Sequence, residues 1–247
     1  MDLKALQKNW DKFGKEDPFW AILLDPKKRG NKWNIDEFFN TGVQEIDAIM
    51  KYIESLGIKL PRRRALDFGC GVGRLTQALA NYFDEVYGVD IAPSMIELAK
   101  KYNRYGDKCK YLLNESDDLK LFSDNFFDFI YTNLTLQHME PSYSKKYIRE
   151  FVRTLSPGGL LIFQLPSEKR NKISRIVRSI FPQSLLNFMF HVIFRARFKT
   201  SAVMEMYGIR IEDVIKFLNQ LDVKIIDIQD QSDGGGWISF RYCVMKK

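Results

Sequence analysis

Histidine and cysteine are scarce in this chain of 247 residues, with two of the first and three of the second. Two histidines exclude a His-rich metal centre. Cys70, Cys109 and Cys243 are odd in number and far apart, with neither metal-ligand spacing nor a disulfide framework. No metal is therefore expected, and a reducing, cytoplasmic setting is the expectation. No run approaches the ~18 apolar residues of a membrane-spanning helix. The start, Met1-Asp-Leu-Lys-Ala-Leu-Gln-Lys-Asn-Trp10, lacks the apolar stretch of a secretion signal. Internal repeats and low-complexity segments are also missing.

What is present suits one α/β domain with an appended element. Apolar residues make up 45% of the chain, enough for a sizeable core at this length. The formal net charge of +7 is local. It falls on residues 168–199, where Lys169, Arg170, Lys172, Arg175, Arg178, Arg195, Arg197 and Lys199 are opposed by Glu168 alone. The remainder is formally neutral, so the basicity is not that of a general nucleic-acid binder.

Residues 1–60 read as a helical, aromatic segment with Trp10, Phe13, Phe19, Trp20, Trp33, Phe38 and Phe39. Asp17-Pro18 and Asp25-Pro26 interrupt it as turns. Ile46, Ile49, Met50 and Ile53 predict a helix over 35–56, ended by Gly57. From about residue 61 to 166, strands and helices alternate. Strands are predicted at 65–68, 86–89, 110–113, 127–131 and 160–165, with helices at 74–83, 93–102 and 142–155. That rhythm means a mostly parallel sheet with helices on both faces. It breaks over 167–209 and resumes over 210–247, with a helix at 211–221 and strands at 223–228 and 237–244. Asp233-Gly-Gly-Gly236 suggests a hairpin between the last two.

The first strand runs into Asp67-Phe-Gly-Cys-Gly-Val-Gly73. Glycines there let the backbone approach a ligand, and the following helix offers free N–H groups. Asp90, ending the second strand, can accept hydrogen bonds from both hydroxyls of a ribose. The dinucleotide fingerprint is G-x-G-x-x-G/A. Gly69 and Gly71 match it, but Arg74 takes the third place and the next glycine, Gly73, comes one position early. Asp67 would repel a pyrophosphate, yet could receive an ammonium directly or through water. An adenosine-bearing amino acid without phosphates fits better than a dinucleotide.

At these residues the chain resembles class I S-adenosylmethionine (SAM)-dependent methyltransferases, in the small-molecule group that includes quinone-biosynthesis enzymes. Ala65-Leu-Asp-Phe-Gly-Cys-Gly-Val-Gly-Arg74 is similar to that family's first motif. Val89-Asp90, with Ile91 and Met95, resembles its ribose-and-adenine segment. Asn114-Glu-Ser-Asp-Asp-Leu119 is similar to the stretch flanking adenine, where Glu115, Asp117 or Asp118 would meet the adenine amino group and Ser116 lies among them. Phe126-Phe-Asp-Phe-Ile-Tyr131, followed by Asn133 and Leu134, resembles the motif near the methyl-donating end. Leu155-Ser-Pro-Gly-Gly-Leu160 is similar to the turn before the fifth strand. The resemblance covers about residues 60–166 and, more weakly, the C-terminal strands. It implies a Rossmann-like α/β fold: a mostly parallel seven-stranded sheet, a C-terminal antiparallel hairpin strand, and helices on both faces. It also implies SAM as cofactor, with its demethylated form (SAH) as product. Asp67, Gly69, Cys70, Gly71, Gly73, Asp90, Ile91, Met95, Glu115, Ser116, Asp117, Asn133 and Leu134 would line the cofactor. Cys70 reads as a small packing residue rather than a nucleophile.

Methyl transfer from a sulfonium needs mainly proximity and orientation, and a base only for a protonated nucleophile. His138, just past the fourth strand, is the candidate base. The plainer role is to space the next helix while touching only cofactor or backbone. His191, in Phe188-Met-Phe-His-Val-Ile-Phe194, reads as packing. Thr132-Asn-Leu-Thr135 stands where enzymes that methylate base amino groups carry [DN]-P-P-[YF], and the Pro-Cys pair of RNA cytosine-5 enzymes is absent. These features favour a small, hydrophobic or lipid-linked acceptor methylated on oxygen or nitrogen. A non-catalytic SAM-binding partner protein, or RNA methylation guided by the basic segment, is the competing reading. The segment 167–209 is read as helical, and suits a lid over the acceptor, a membrane-surface element using 168–199, or a subunit contact with a solvated basic face.

Overall fold

The computed structural model describes residues 1–170, 192, 202–232 and 236–247. The helices expected within 171–201 and the turn at 233–235 lie outside the described residues. Three helices come first: α1 (Leu3–Glu16), α2 (Pro18–Ile22) and α3 (Ile35–Ser55). Each start is set locally. The Asp2 side chain accepts from Ala5 N at 2.8 Å, Pro18 opens α2, and Asn34 accepts from Glu37 N at 3.0 Å.

The alternating region follows as β1 (Arg64–Phe68), α4 (Arg74–Leu79), β2 (Glu85–Asp90), α5 (Pro93–Tyr102), β3 (Cys109–Leu113), β4 (Phe127–Thr132), α6 (Pro141–Thr154) and β5 (Leu155–Lys169). The chain closes with α7 (Ile211–Leu218), β6 (Val223–Asp230) and β7 (Trp237–Lys246). The strands form one seven-stranded sheet in the order β3-β2-β1-β4-β5-β7-β6. β1 to β5 are parallel, and β7 inserts antiparallel between β5 and β6. β5 is longer than its apolar run suggests. Leu155 already pairs with Phe127, so the expected turn at 156–159 lies inside the strand, and the register shifts before Leu160 joins Phe129.

Side-chain alternation builds a core on each face. Leu66, Ile130, Leu161 and Phe163 pack with Tyr147 and Phe151 of α6 and Phe217 of α7. Ala65, Phe129, Leu160 and Ile162 pack with Ile46 and Ile49 of α3, Leu79 of α4 and Ile96 of α5. A third cluster joins Phe13, Phe19, Trp20, Phe38 and Phe39 to Met95 and Met204. The N-terminal aromatics Phe38 and Phe39 are therefore core. α1 is pinned across α5 by Asp11, which accepts from Ser94 N at 3.0 Å, and its Gly14 leaves no room for a Cβ beside Ser94.

One ionic clasp closes the edge of the sheet away from the glycine loop. Asp128 is 2% exposed and accepts from Arg63 Nη2 at 2.7 Å, Arg63 N at 2.9 Å and Arg64 N at 3.2 Å. Burial alone would raise its carboxyl, but Arg63 and the two backbone N–H groups outweigh it and hold the group below 3.8. Asp128→Ala leaves those backbone donors unsatisfied and should cost about 2 kcal/mol in urea unfolding at neutral pH. Because the folded-state value is depressed, this contribution is full above 3.8 and is lost as pH falls through the lower folded value. Stability curves of parent and variant should therefore converge in acid.

Candidate active site

The ends of β1, β2, β4, β5 and β7 open into a cavity of about 870 Å³ at the carboxyl edge of the sheet. Ligands bind at that edge in open α/β sheets, because the loops there are free to carry side chains. α1 roofs it with Leu3, Leu6 and Trp10, which share one helical face. Trp33 and the 21–25 segment complete the wall.

The glycine loop is tied to the end of β2. Val89 O accepts from both Gly69 N (2.8 Å) and Cys70 N (3.0 Å), and the Asp90 carboxylate accepts from Gly71 N and Ala92 N at 2.9 Å each. Gly69 (φ 78°) and Gly71 (φ 52°) are left-handed, and a Cβ would strike Thr135 at the first and Ile22 at the second. Asp90 lines the cavity, and burial, partly opposed by its backbone donors, raises its carboxyl.

The expected site residues divide into those on the cavity and those behind it. Gly69, Cys70, Gly71, Asp90, Ile91, Asn133, Leu134 and His138 line it. Asp67 and Gly73 do not. Asp67 is 1% exposed and takes a hydrogen bond from Thr76 Oγ1 at 2.6 Å, and burial lifts its carboxyl to about 7. Gly73 caps α4 beneath Tyr111. Met95 is buried in the aromatic cluster. Glu115 is exposed and accepts from Gln7 Nε2 of α1 at 2.6 Å; Ser116 O accepts from Tyr147 Oη; Asp117 pairs with Lys146. In that segment the cavity residue is Asn114, whose amide donates to Asp118 O at 2.9 Å and shapes the loop. Burial pushes the Cys70 thiol well up, which disfavours the thiolate.

Several cavity residues were not expected. Arg74 lines the wall and pairs with Glu45 of α3 at 2.8 Å. Glu45 also accepts from Asn133 Nδ2 (2.7 Å) and Tyr131 Oη (2.8 Å). Burial raises the Glu45 carboxyl, but Arg74 and these donors outweigh it and keep it ionised. Its sequence signal was an acid on the helical face shared by Phe38, Gly42 and Ile49. The loop neighbourhood therefore holds Arg74 paired with Glu45, and beside them the Asp90 carboxyl on the cavity wall.

At the far side, Gln137, His138, Gln164 and Ser239 form a hydrogen-bonded row. His138 Nδ1 lies 2.7 Å from Glu205 O, which can only accept, so Nδ1 carries the proton. The Nε2 lone pair then accepts from Gln137 Nε2 at 3.2 Å. Burial lowers the imidazole to about 4, and Trp10 packs edge-on at 5.1 Å. The ring is thus neutral, and both of its nitrogens are hydrogen-bonded.

Comparison with known proteins places these motifs. The family described as a methyltransferase domain matches residues 66–163. Phosphoethanolamine N-methyltransferase 3 of Arabidopsis thaliana is 32% identical over 127 residues, covering 51% of this chain and 25% of that protein. Trans-aconitate 2-methyltransferase of Variovorax paradoxus is 31% identical over 121 residues, covering 47% and 44%. The chain thus spans less than half the length of these relatives. Among solved structures, magnesium protoporphyrin IX methyltransferase of Synechocystis with bound SAH superposes over 100% of both chains, with a TM-score of 0.67 and 17% identity. The sheet order and its antiparallel C-terminal strand are those of the class I methyltransferase fold. Among the described residues no helix is long and apolar enough to cross a membrane, and no cluster of potential ligands could hold a metal.

The His138 ring should show no titration between pH 5.5 and 8 in an NMR experiment, since its value lies near 4. With only two histidines in the chain, assignment needs one His138→Asn control.

Proposed function

We propose that the chain transfers the methyl group of SAM to oxygen or nitrogen of a small acceptor, on the match of residues 66–163 to a methyltransferase-domain family and on the class I fold. The observation that carries this is Asp90 held at the cavity by Gly71 and Ala92 N–H groups, beside the glycine loop. SAM supplies a methyl on a positively charged sulfur, which leaves as a neutral thioether.

The chain's own contribution is placement and charge. Each Asp90 oxygen uses one lone pair on backbone and keeps others for the ribose hydroxyls. Ile91, Phe68 and Leu3 give an apolar slot for adenine, with Asn114 at its base. Gly69 and Gly71 let the loop backbone come within contact of the amino-acid part. Arg74 is suited to the carboxylate there, and Glu45 fixes its guanidinium. The acids of this half favour the ammonium and the sulfonium. α1 excludes water above the transfer line, which sharpens every electrostatic contact inside.

His138 acts by position in this reading. Protonating a ring whose value is near 4 is costly at neutral pH, and its lone pair already receives the Gln137 amide. It holds Gln137 at the acceptor wall, and the acceptor arrives deprotonated or loses its proton to solvent. The localisation we propose is cytoplasmic, from the small number and wide spacing of the cysteines.

Calorimetric titration of SAH should show binding by the parent and a loss of about 10- to 100-fold in Asp90→Ala, the worth of one or two charge-assisted hydrogen bonds. NADH should not compete. No SAH binding, or a preference for NADH, overturns the proposal.

A further inference from the structure

Among the described residues two arginines line the cavity, and they differ in one respect. Arg74 is 5% exposed and neutralised by Glu45 at 2.8 Å. Arg241 of β7 donates from Nη2 to Gln231 Oε1 at 3.0 Å, and among the described residues no carboxylate lies within 4.0 Å of it. It is half-buried, on the cavity wall far along the sheet from Asp90. A guanidinium in a partly desolvated wall is costly without a counter-charge, and it is the donor best shaped for a bidentate oxyanion.

The hydrogen-bonded row beside it is neutral and held in place. Gln164 of β5 is its direct cross-strand partner, so the two side chains stand on one face about 5 Å apart at Cβ. The Gln164 amide is oriented from two sides. Glu205 O fixes the His138 tautomer, which makes the adjacent Gln137 atom its Nε2 donor and leaves Gln137 Oε1 to accept from Gln164 Nε2 at 3.5 Å. Independently, Ser239 Oγ donates to Leu165 O at 3.3 Å and so must accept from Gln164 Nε2. The row beside Arg241 thus contributes no charge, and its geometry is set before any acceptor arrives.

We propose that Arg241 is the specificity-determining residue for an anionic acceptor: a small molecule bearing a carboxylate or phosphate monoester that sits on this guanidinium. The inference rests on the methyl-transfer reading for the direction in which the cavity is filled. The cofactor occupies the glycine-loop half, and the acceptor's anion takes the β5–β7 half. The charge division is self-consistent. The acidic half receives the cationic donor, and Arg241, the cavity-lining cation without a carboxylate among the described residues, receives the anion.

The test uses the full chain saturated with SAH and matched probes: 4-hydroxybenzoate against its methyl ester, and phenyl phosphate against phenol, with inorganic phosphate alone as a control. At millimolar concentrations, at least one anion should bind ten-fold or more tightly than its neutral twin. Arg241→Met should erase that preference and Arg241→Lys should keep part of it, with SAH affinity unchanged in both. The arm that responds tells carboxylate from phosphate. Equal binding of twins, a preference that survives in Arg241→Met, or no anion binding to the SAH-loaded chain overturns the inference while leaving the cofactor reading intact. Failure of the parent to bind SAH removes the cofactor reading itself.

Discussion

The cavity exists because two parallel strands end side by side and the chain after the first must turn sharply against the end of the second. Val89 O, Asp90 and the N–H groups of residues 69–71 make that junction. It leaves no space for side chains at Gly69 and Gly71, where a Cβ would sit 2.2 Å from Thr135 and 2.6 Å from Ile22. Those two contacts come from different directions, one from the loop after β4 and one from α2. The junction is therefore also what the loop after β4 and α2 pack against. Replacing either glycine would strain the backbone and push a wall of the cavity outward together.

Most of the sheet was legible in sequence because each strand and helix carries its own periodicity and its own stop. Six of the seven strands fall where the apolar runs predicted them, and α3, α5 and α6 start within a residue or two of their predicted limits. β5 departed from its pattern because pairing is decided by the neighbour. Phe127 recruits Leu155 across a Pro-Gly-Gly stretch that reads locally as a turn. Asp67 shows the same limit in the site. Its place in the motif is local information, but the direction of its carboxylate is set by Thr76 on the following helix, which buries it behind the loop. The stretch 114–118 likewise places its acids outward, onto Gln7 and Lys146, and keeps Asn114 inward.

What sequence did not reveal is long-range. Glu45 and Arg74 meet across 29 positions, Trp10 and His138 across more than a hundred, and Gln164 and Ser239 across 75. None of these pairs has a spacing signature. Each becomes visible only when the sheet brings the elements together. Glu45 alone left a trace, as a charge on an otherwise apolar helical face.

These long-range pairs also set where charge faces the cavity. Buried charges are tolerated where they are paired or hydrogen-bonded, and the pairing also fixes where the remaining field points. Around the glycine loop, Glu45 offsets Arg74, and Asp90 is the carboxyl that faces the cavity. Along β5 and β7 the row from His138 to Ser239 is neutral by construction, because a ring whose value is near 4 stays uncharged at neutral pH. A protonated His138 would add a second cation beside Arg241 and blur the contrast between the halves. The burial that lowers His138 is thus the same property that keeps this row uncharged.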